Sequence, residues 1–208
     1  MNPLDRLAQV FEKFPGIGPR QARRFVGHLL GQSDALRKAL AEDIKRLGAE
    51  VRSCEKCFRW FVQGDALKSP GVKASPLCPI CSSSFRDGGT LCVVEKDADL
   101  EGIERSGFKG LYFVLGGTIP LGEENGEKFI RMRELLKRAE EGTLKEVVLG
   151  LSATTEGDHT RLILQEKLIP LAEKHGFKLS SLGRGLSTGS ELEYADPETI
   201  ANALSSRQ

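Results

Sequence analysis

The sequence predicts an α/β protein with a helical hairpin domain at its amino terminus, a zinc-ribbon-like linker, and a mainly parallel four-stranded α/β domain. Three observations predict it. Apolar residues recur at helical spacing along the first quarter of the chain, two Cys-x-x-Cys pairs punctuate a stretch poor in apolar residues, and short apolar runs then alternate with amphipathic segments. With 39% hydrophobic and 28% charged residues among 208, the chain carries enough apolar material to fold rather than stay disordered.

Leu4, Leu7, Phe11 and Phe14 mark a first helix. Pro15-Gly-Ile-Gly18 breaks that pattern, and Pro19 opens a second helix carried by Ala22, Phe25, Val26, Leu29 and Leu30, which Gly31 can end. A third follows Ser33 or Asp34, with Leu36, Leu40, Ile44, Leu47 and Val51 on one face, and runs into Cys54. Residues 54–90 are crowded with Gly, Pro, Ser and Lys and need a staple to become ordered. Beyond them the expected elements are strand 91–95, helix 97–106, strand 111–115, helix 127–141, strand 146–151, helix 158–175 and strand 177–182. That βαβαβαβ order implies a mainly parallel sheet with covered faces. Residues 197–204 read as a closing helix and 205–208 as a frayed tail. The expected division is therefore 1–53, 54–90, 91–182 and 183–208.

The net charge of +1 hides an asymmetry. Residues 1–81 carry 14 Lys and Arg against 8 Asp and Glu, whereas residues 82–208 carry 16 against 21. A basic front suits phosphate backbones, and an acidic back suits metal ions or basic protein surfaces. No apolar run approaches the roughly 18 to 20 residues that span a bilayer, and the chain does not open with a basic region followed by an apolar stretch. A soluble, cytoplasmic protein without membrane attachment is the expectation.

The strongest chemical signal is Cys54-Glu-Lys-Cys57 and Cys78-Pro-Ile-Cys81, with 20 residues between the pairs. Each pair makes a turn that aims two thiolates at one point, and four thiolates satisfy tetrahedral Zn²⁺ with no position left open. One structural Zn²⁺ per chain is expected. The rival reading is a redox dithiol, but thioredoxin-like sites use a single pair at the start of a helix. Iron is harder to separate from zinc by spacing. Cys92 lies in an apolar, strand-like run.

A second signal is Phe14-Pro-Gly-Ile-Gly-Pro-Arg20. Gly16 and Gly18 let the backbone approach another surface, and the amides opening the second helix point at a natural anion site. At 100° per residue, Arg20 and Arg24 lie together opposite the apolar face, and Arg23 falls on the flank. A DNA phosphate fits there. The alternative is a solvated basic face with no ligand.

In the back half, Glu95 ends the first strand, Asp97 and Asp99 follow it, and Glu156-Gly-Asp158 follows the third strand. Parallel sheets place ligand sites at the carboxyl ends of strands, so these carboxylates can converge on one Mg²⁺. The competing reading has Asp97 and Asp158 only capping helices. His28, His159 and His175 are scattered and receive no catalytic role. No GxxxxGK[ST] stretch occurs, so no nucleotide is expected.

The order of hairpin, four cysteines and acidic α/β region resembles the bacterial RecR family of recombination proteins. The resemblance covers nearly the whole chain: residues 14–30, Cys92-Val-Val-Glu95, Tyr112-Phe-Val-Leu-Gly116, Thr155-Glu-Gly-Asp158, and Gly185-Leu-Ser-Thr-Gly-Ser-Glu-Leu-Glu193 with Tyr194. It implies a helix-hairpin-helix DNA-binding region and a Toprim-like α/β domain, the module shared with primases and topoisomerases. It also implies a ring-like tetramer that can encircle DNA and works with RecO and RecF at single-stranded gaps, without catalysis. Glu95, Asp99, Glu156 and Asp158 then serve partner docking, with Mg²⁺ allowed but not required. The alternative is a Toprim-type metal-dependent phosphoryl-transfer enzyme, a nuclease or primase. A topoisomerase would need a tyrosine nucleophile, and of the two tyrosines Tyr112 lies inside an apolar strand. A zinc-stabilised scaffold that never touches DNA would leave the basic front unexplained.

Overall fold

A computed structural model describes residues 2–62, 75–123, 126–183, 185–186, 189 and 191–205. Most of the stretch between the cysteine pairs, three positions of the 185–193 motif and residues 206–208 of the tail lie outside them. The chain divides into two units, Met1–Arg52 and Ser53–Gln208.

In the first unit, capping residues set the helix limits. α1 (Pro3–Phe11) opens with proline in its first turn, and the Asn2 side chain accepts a hydrogen bond from the Asp5 amide at 2.9 Å. α2 (Pro19–Gly31) again opens on proline, and Ser33 caps α3 (Asp34–Glu50) by accepting from the Leu36 amide at 3.2 Å. Ala8, Ala22 and Val26 form a small buried cluster with Phe11 and Ile17 against it. The expected stripe on α3 is present, yet α3 buries no residue, and Leu36, Leu40, Ile44 and Leu47 are between 41% and 62% exposed.

Next along the chain, across the division between the units, come β1 (Val51–Ser53) and β2 (Trp60–Val62), on either side of the first cysteine pair, and then α4 (Pro79–Ser82). β3 (Asp87–Val94), α5 (Asp97–Arg105), β4 (Gly110–Val114), α6 (Met132–Glu140), β5 (Glu146–Gly150), α7 (Thr155–His175) and β6 (Lys178–Ser181) follow, with α8 (Pro197–Ser205) last. The larger sheet has the order β4-β3-β5-β6, and all three pairings are parallel. Central β3 carries Leu91, Cys92, Val93 and Val94, all fully buried, the pattern of a parallel strand covered on both faces. The chain leaves β3 toward β4 on one side and returns to β5 on the other. This places the topological switch point at the carboxyl ends of β3 and β5, where Glu95 and Ser152 lie.

Several boundaries differ from the sequence expectation. α3 ends at Glu50, and the extended β1, not helix, carries Val51 toward Cys54. β3 begins at Asp87 rather than 91, because Asp87 itself pairs with Gly110 and its side chain accepts from the Gly89 amide and the Thr90 hydroxyl. The segment expected as one helix over 127–141 is a 3₁₀ turn at Gly126–Phe129, a break at Arg131 and then α6. α7 starts three residues early because Thr154 caps it, accepting from the Gly157 amide at 3.1 Å. The cysteine stretch does not lack a core either: Cys54, Cys57, Cys78 and Ile80 belong to the same buried cluster as the sheet. Among the described residues, no helix is long and apolar enough to cross a membrane.

Candidate metal centre and nucleic-acid interface

Backbone turns converge the four cysteines. The Phe58 amide donates to the Cys54 carbonyl at 2.9 Å and the Ser82 amide to the Cys78 carbonyl at 3.0 Å, closing one turn around each pair. The Cys78 amide donates across the pairs to Cys54 Sγ at 3.3 Å, and the Cys81 amide to Cys78 Sγ at 3.5 Å. All four Sγ atoms lie within 4.8 Å of one another, with Cys57 and Cys78 at 3.6 Å. A tetrahedral Zn²⁺ with bonds of about 2.3 Å sets its sulfurs roughly 3.8 Å apart, so the donor set fits.

The four sulfurs crowd one another. The neighbouring Cys54 sulfur, and burial after it, push the Cys57 and Cys81 thiols up. A divalent cation would relieve this crowding by binding all four as thiolates. The fifth cysteine takes no part: burial in β3 pushes the Cys92 thiol up to about 12, which leaves it an inert core residue.

At the switch point the carboxylates are each engaged locally. Glu95 is only 5% exposed, and its carboxylate accepts from the Ser152 amide at 2.7 Å and the Ser152 hydroxyl at 3.1 Å. A Cβ on Gly157 would collide with the Ser152 carbonyl oxygen and come 3.1 Å from Glu95 Oε1, so glycine there lets α7 close onto β5. Asp97 does not cap α5. Its carboxylate accepts from the Trp60 amide of β2 at 3.2 and 3.4 Å, and burial pushes that carboxyl up. Asp99 takes the capping role, accepting from the Lys96 amide at 2.9 Å. Glu156 accepts from the Thr118 hydroxyl at 3.4 Å, and Asp158 pairs with Arg161 at 3.2 Å inside the first turns of α7. Only the four cysteines, among the described residues, bring three or more potential ligand atoms within 4.8 Å. The carboxylates share one end of the sheet without forming such a compact set.

The hairpin has a different character. Gly16 adopts φ +76° in the turn, the left-handed region that favours glycine. Gly18 is the N-cap of α2, and no side chain caps that helix. Arg20, Arg23 and Arg24 are all exposed, with Arg24 donating to Gln21 at 3.3 Å. Uncapped amides beside three exposed guanidinium groups form a positive surface suited to an anion.

Comparison with known proteins places this geometry. Residues 89–182 match the Toprim domain family, and residues 185–208 match the family described as RecR, C-terminal. Over 205 residues the chain is 38% identical to Recombination protein RecR of Bacteroides thetaiotaomicron, covering 98% of this chain and 92% of that one. The chain belongs to the RecR family of recombination proteins. The RecR of Rickettsia prowazekii is 36% identical over 208 residues, which are 100% of this chain and 96% of the relative. The Toprim match runs from inside β3 to just past β6, so the four-stranded parallel sheet is the Toprim domain.

Several residues that organise this RecR-family chain escape sequence reasoning. Ser152, which holds Glu95, stands in the β5–α7 loop, where the switch-point rule gave a usable signal. Phe58, Arg131 and the Trp60 amide act through tertiary contacts, for which no local pattern exists.

Proposed function

We propose that the protein is a non-catalytic, sequence-independent DNA-binding mediator of recombination. The observation that carries this reading is the uncapped start of α2 beside exposed Arg20, Arg23 and Arg24, with Gly16 and Gly18 allowing close approach. Phosphates are held there by guanidinium groups and backbone amides, which carry no sequence information.

Cys54, Cys57, Cys78 and Cys81 hold one Zn²⁺ per chain, which supplies a cross-link between the two cysteine turns. The remaining chemistry belongs to the chain. Glu95 fixes the β5–α7 loop through Ser152, and Glu156 and Asp158 present charge at the start of α7 to a basic partner surface. RecO and RecF are the partners that the family resemblance implies, acting at single-stranded gaps in the cytoplasm. The exposed apolar stripe of α3 supports homo-oligomerisation, with a ring-like tetramer as the assembly. The functional division is 1–53 for DNA, 54–90 for zinc, 91–182 for docking and 183–208 as a C-terminal segment.

Engagement of each carboxylate by a local donor favours docking over phosphoryl transfer. Purified protein given Mg²⁺ and labelled single-stranded, gapped or duplex DNA should bind it and leave the strands chemically unchanged. Glu156→Gln should keep the fold and weaken association with a basic partner. Cleavage, joining or polymerisation that disappears in this variant would establish the enzyme reading instead.

A further inference from the structure

The first cysteine turn contains an oddity. Phe58, directly after Cys57, has φ 61° and is the one non-glycine residue with positive φ among the described residues. Glycine would enter that turn freely, whereas a bulky side chain there is strained and persists only where its surroundings over-determine it. Its ring does have surroundings. It meets Phe113 of β4 edge-on at 5.3 Å, and the Arg131 guanidinium lies over it at 5.2 Å from the centroid.

Arg131 is fixed from several sides. Its amide donates to the Leu115 carbonyl at 2.9 Å and its Nη1 to the Val114 carbonyl at 2.9 Å. A Cβ on Gly116 would come 2.7 Å from that Nη1, so the backbone after β4 leaves room for the guanidinium only because residue 116 is glycine. The break between the 3₁₀ turn and α6 falls at Arg131 itself. Meanwhile the Val114 amide, on the same edge strand, donates to the Cys57 carbonyl at 2.8 Å. Trp60, two residues beyond Phe58, donates its amide to Asp97. The cysteine turn is therefore clamped onto the carboxyl end of β4 and the start of α5.

We propose that Arg131 is a positioning residue of the four-cysteine centre, holding the Phe58 ring against β4 so that the turn aims Cys54 and Cys57 at the metal. This rests on the reading that the cysteines hold zinc. The guanidinium touches no ligand and acts through Phe58 and the Val114 carbonyl. Groups that support metal ligands in this way typically contribute roughly 10- to 100-fold to metal affinity.

The test is the rate at which excess chelator extracts zinc from the full-length, zinc-loaded protein. Arg131→Ala should release zinc roughly 10- to 100-fold faster than the wild type. Phe58→Gly, which keeps the turn accessible without strain but removes the ring, should do the same and provides the reading if Arg131→Ala does not fold. Because both act on one contact, the double variant should release zinc no faster than the faster single variant. Leu179→Ala on β6 serves as a control: it removes packing from the far side of the sheet and should lower stability without accelerating release. Release at the wild-type rate in the Arg131 variant, additive effects in the double variant, or equal acceleration by Leu179→Ala would each overturn the proposal. A wild-type protein purified without zinc would overturn the zinc reading first, and the positioning role with it.

Discussion

Gly16 and Gly18 sit two positions apart in the hairpin, yet they answer to different constraints. Gly16 has φ +76°, so Gly16→Ala should destabilise the protein by about 1–2 kcal/mol in urea unfolding, the cost of forcing a side chain into left-handed backbone. Gly18 has φ −84° and ψ 171°, which any residue adopts, and a Cβ there would meet nothing within 4 Å. The fold does not ask for glycine at 18; on the proposed function, close approach of a phosphate does. Gly18→Ser supplies a good N-cap and should keep or raise stability, while its side chain stands before the amides and weakens DNA binding. A folded Gly18→Ser variant with unchanged DNA affinity would show that nothing approaches the backbone there. The two glycines look alike in the sequence, because φ is set by the path of the turn. Phe58 was invisible for the converse reason: its left-handed backbone is held by a ring contact with Phe113, 55 positions away in the chain.

Between elements, one ionic network fastens β3, α5 and β4. Arg86 pairs with Glu104 and donates to the Phe108 carbonyl at 2.9 Å, and the Tyr112 hydroxyl donates to Glu104 at 2.8 Å. Arg86 and Tyr112 together hold the Glu104 carboxyl below its ordinary value. The native state thus binds fewer protons than the unfolded chain, and this contribution is present above the unfolded value of 4.5 and lost as pH falls through the depressed one. Glu104→Gln should therefore be less stable than the wild type at neutral pH, with the difference closing below about pH 4.5. A difference that is constant with pH would assign the loss to packing instead. At this scale the sequence was legible where the pattern is local, as in the alternation of apolar runs and amphipathic segments that yields four parallel strands. It was misleading where a tertiary bond intervened. Asp97 resembles a helix cap but serves Trp60, and the helix expected over 127–141 is interrupted where Arg131 turns back to β4.

Across the whole molecule the two cysteine pairs and the order of motifs were the legible signals, since the four-cysteine cluster and the family are both found. Cysteine spacing is a local property of two turns, so the convergence of four sulfurs could be read directly. The acidic residues were correctly sent to one end of the sheet by the strand order. Their individual engagements depend on which amide or hydroxyl faces each, so Glu95 with Ser152 and Glu156 with Thr118 had no sequence signature. The hairpin stands between these cases, since helical periodicity places Arg20 and Arg24 on one exposed face but does not say what meets it.

That last question is answered by DNA binding measured against salt concentration for the wild type and the Arg20→Ala, Arg24→Ala double variant. Phosphate contacts release counterions, each contributing about 0.9 to the slope of log affinity against log salt on duplex DNA. The folded double variant should bind all sequences more weakly and to a similar extent, with a measurably shallower salt slope and stability within roughly 0.5 kcal/mol of the wild type. Unchanged affinity and an unchanged slope in a fully folded double variant would contradict the assignment of DNA binding to this face.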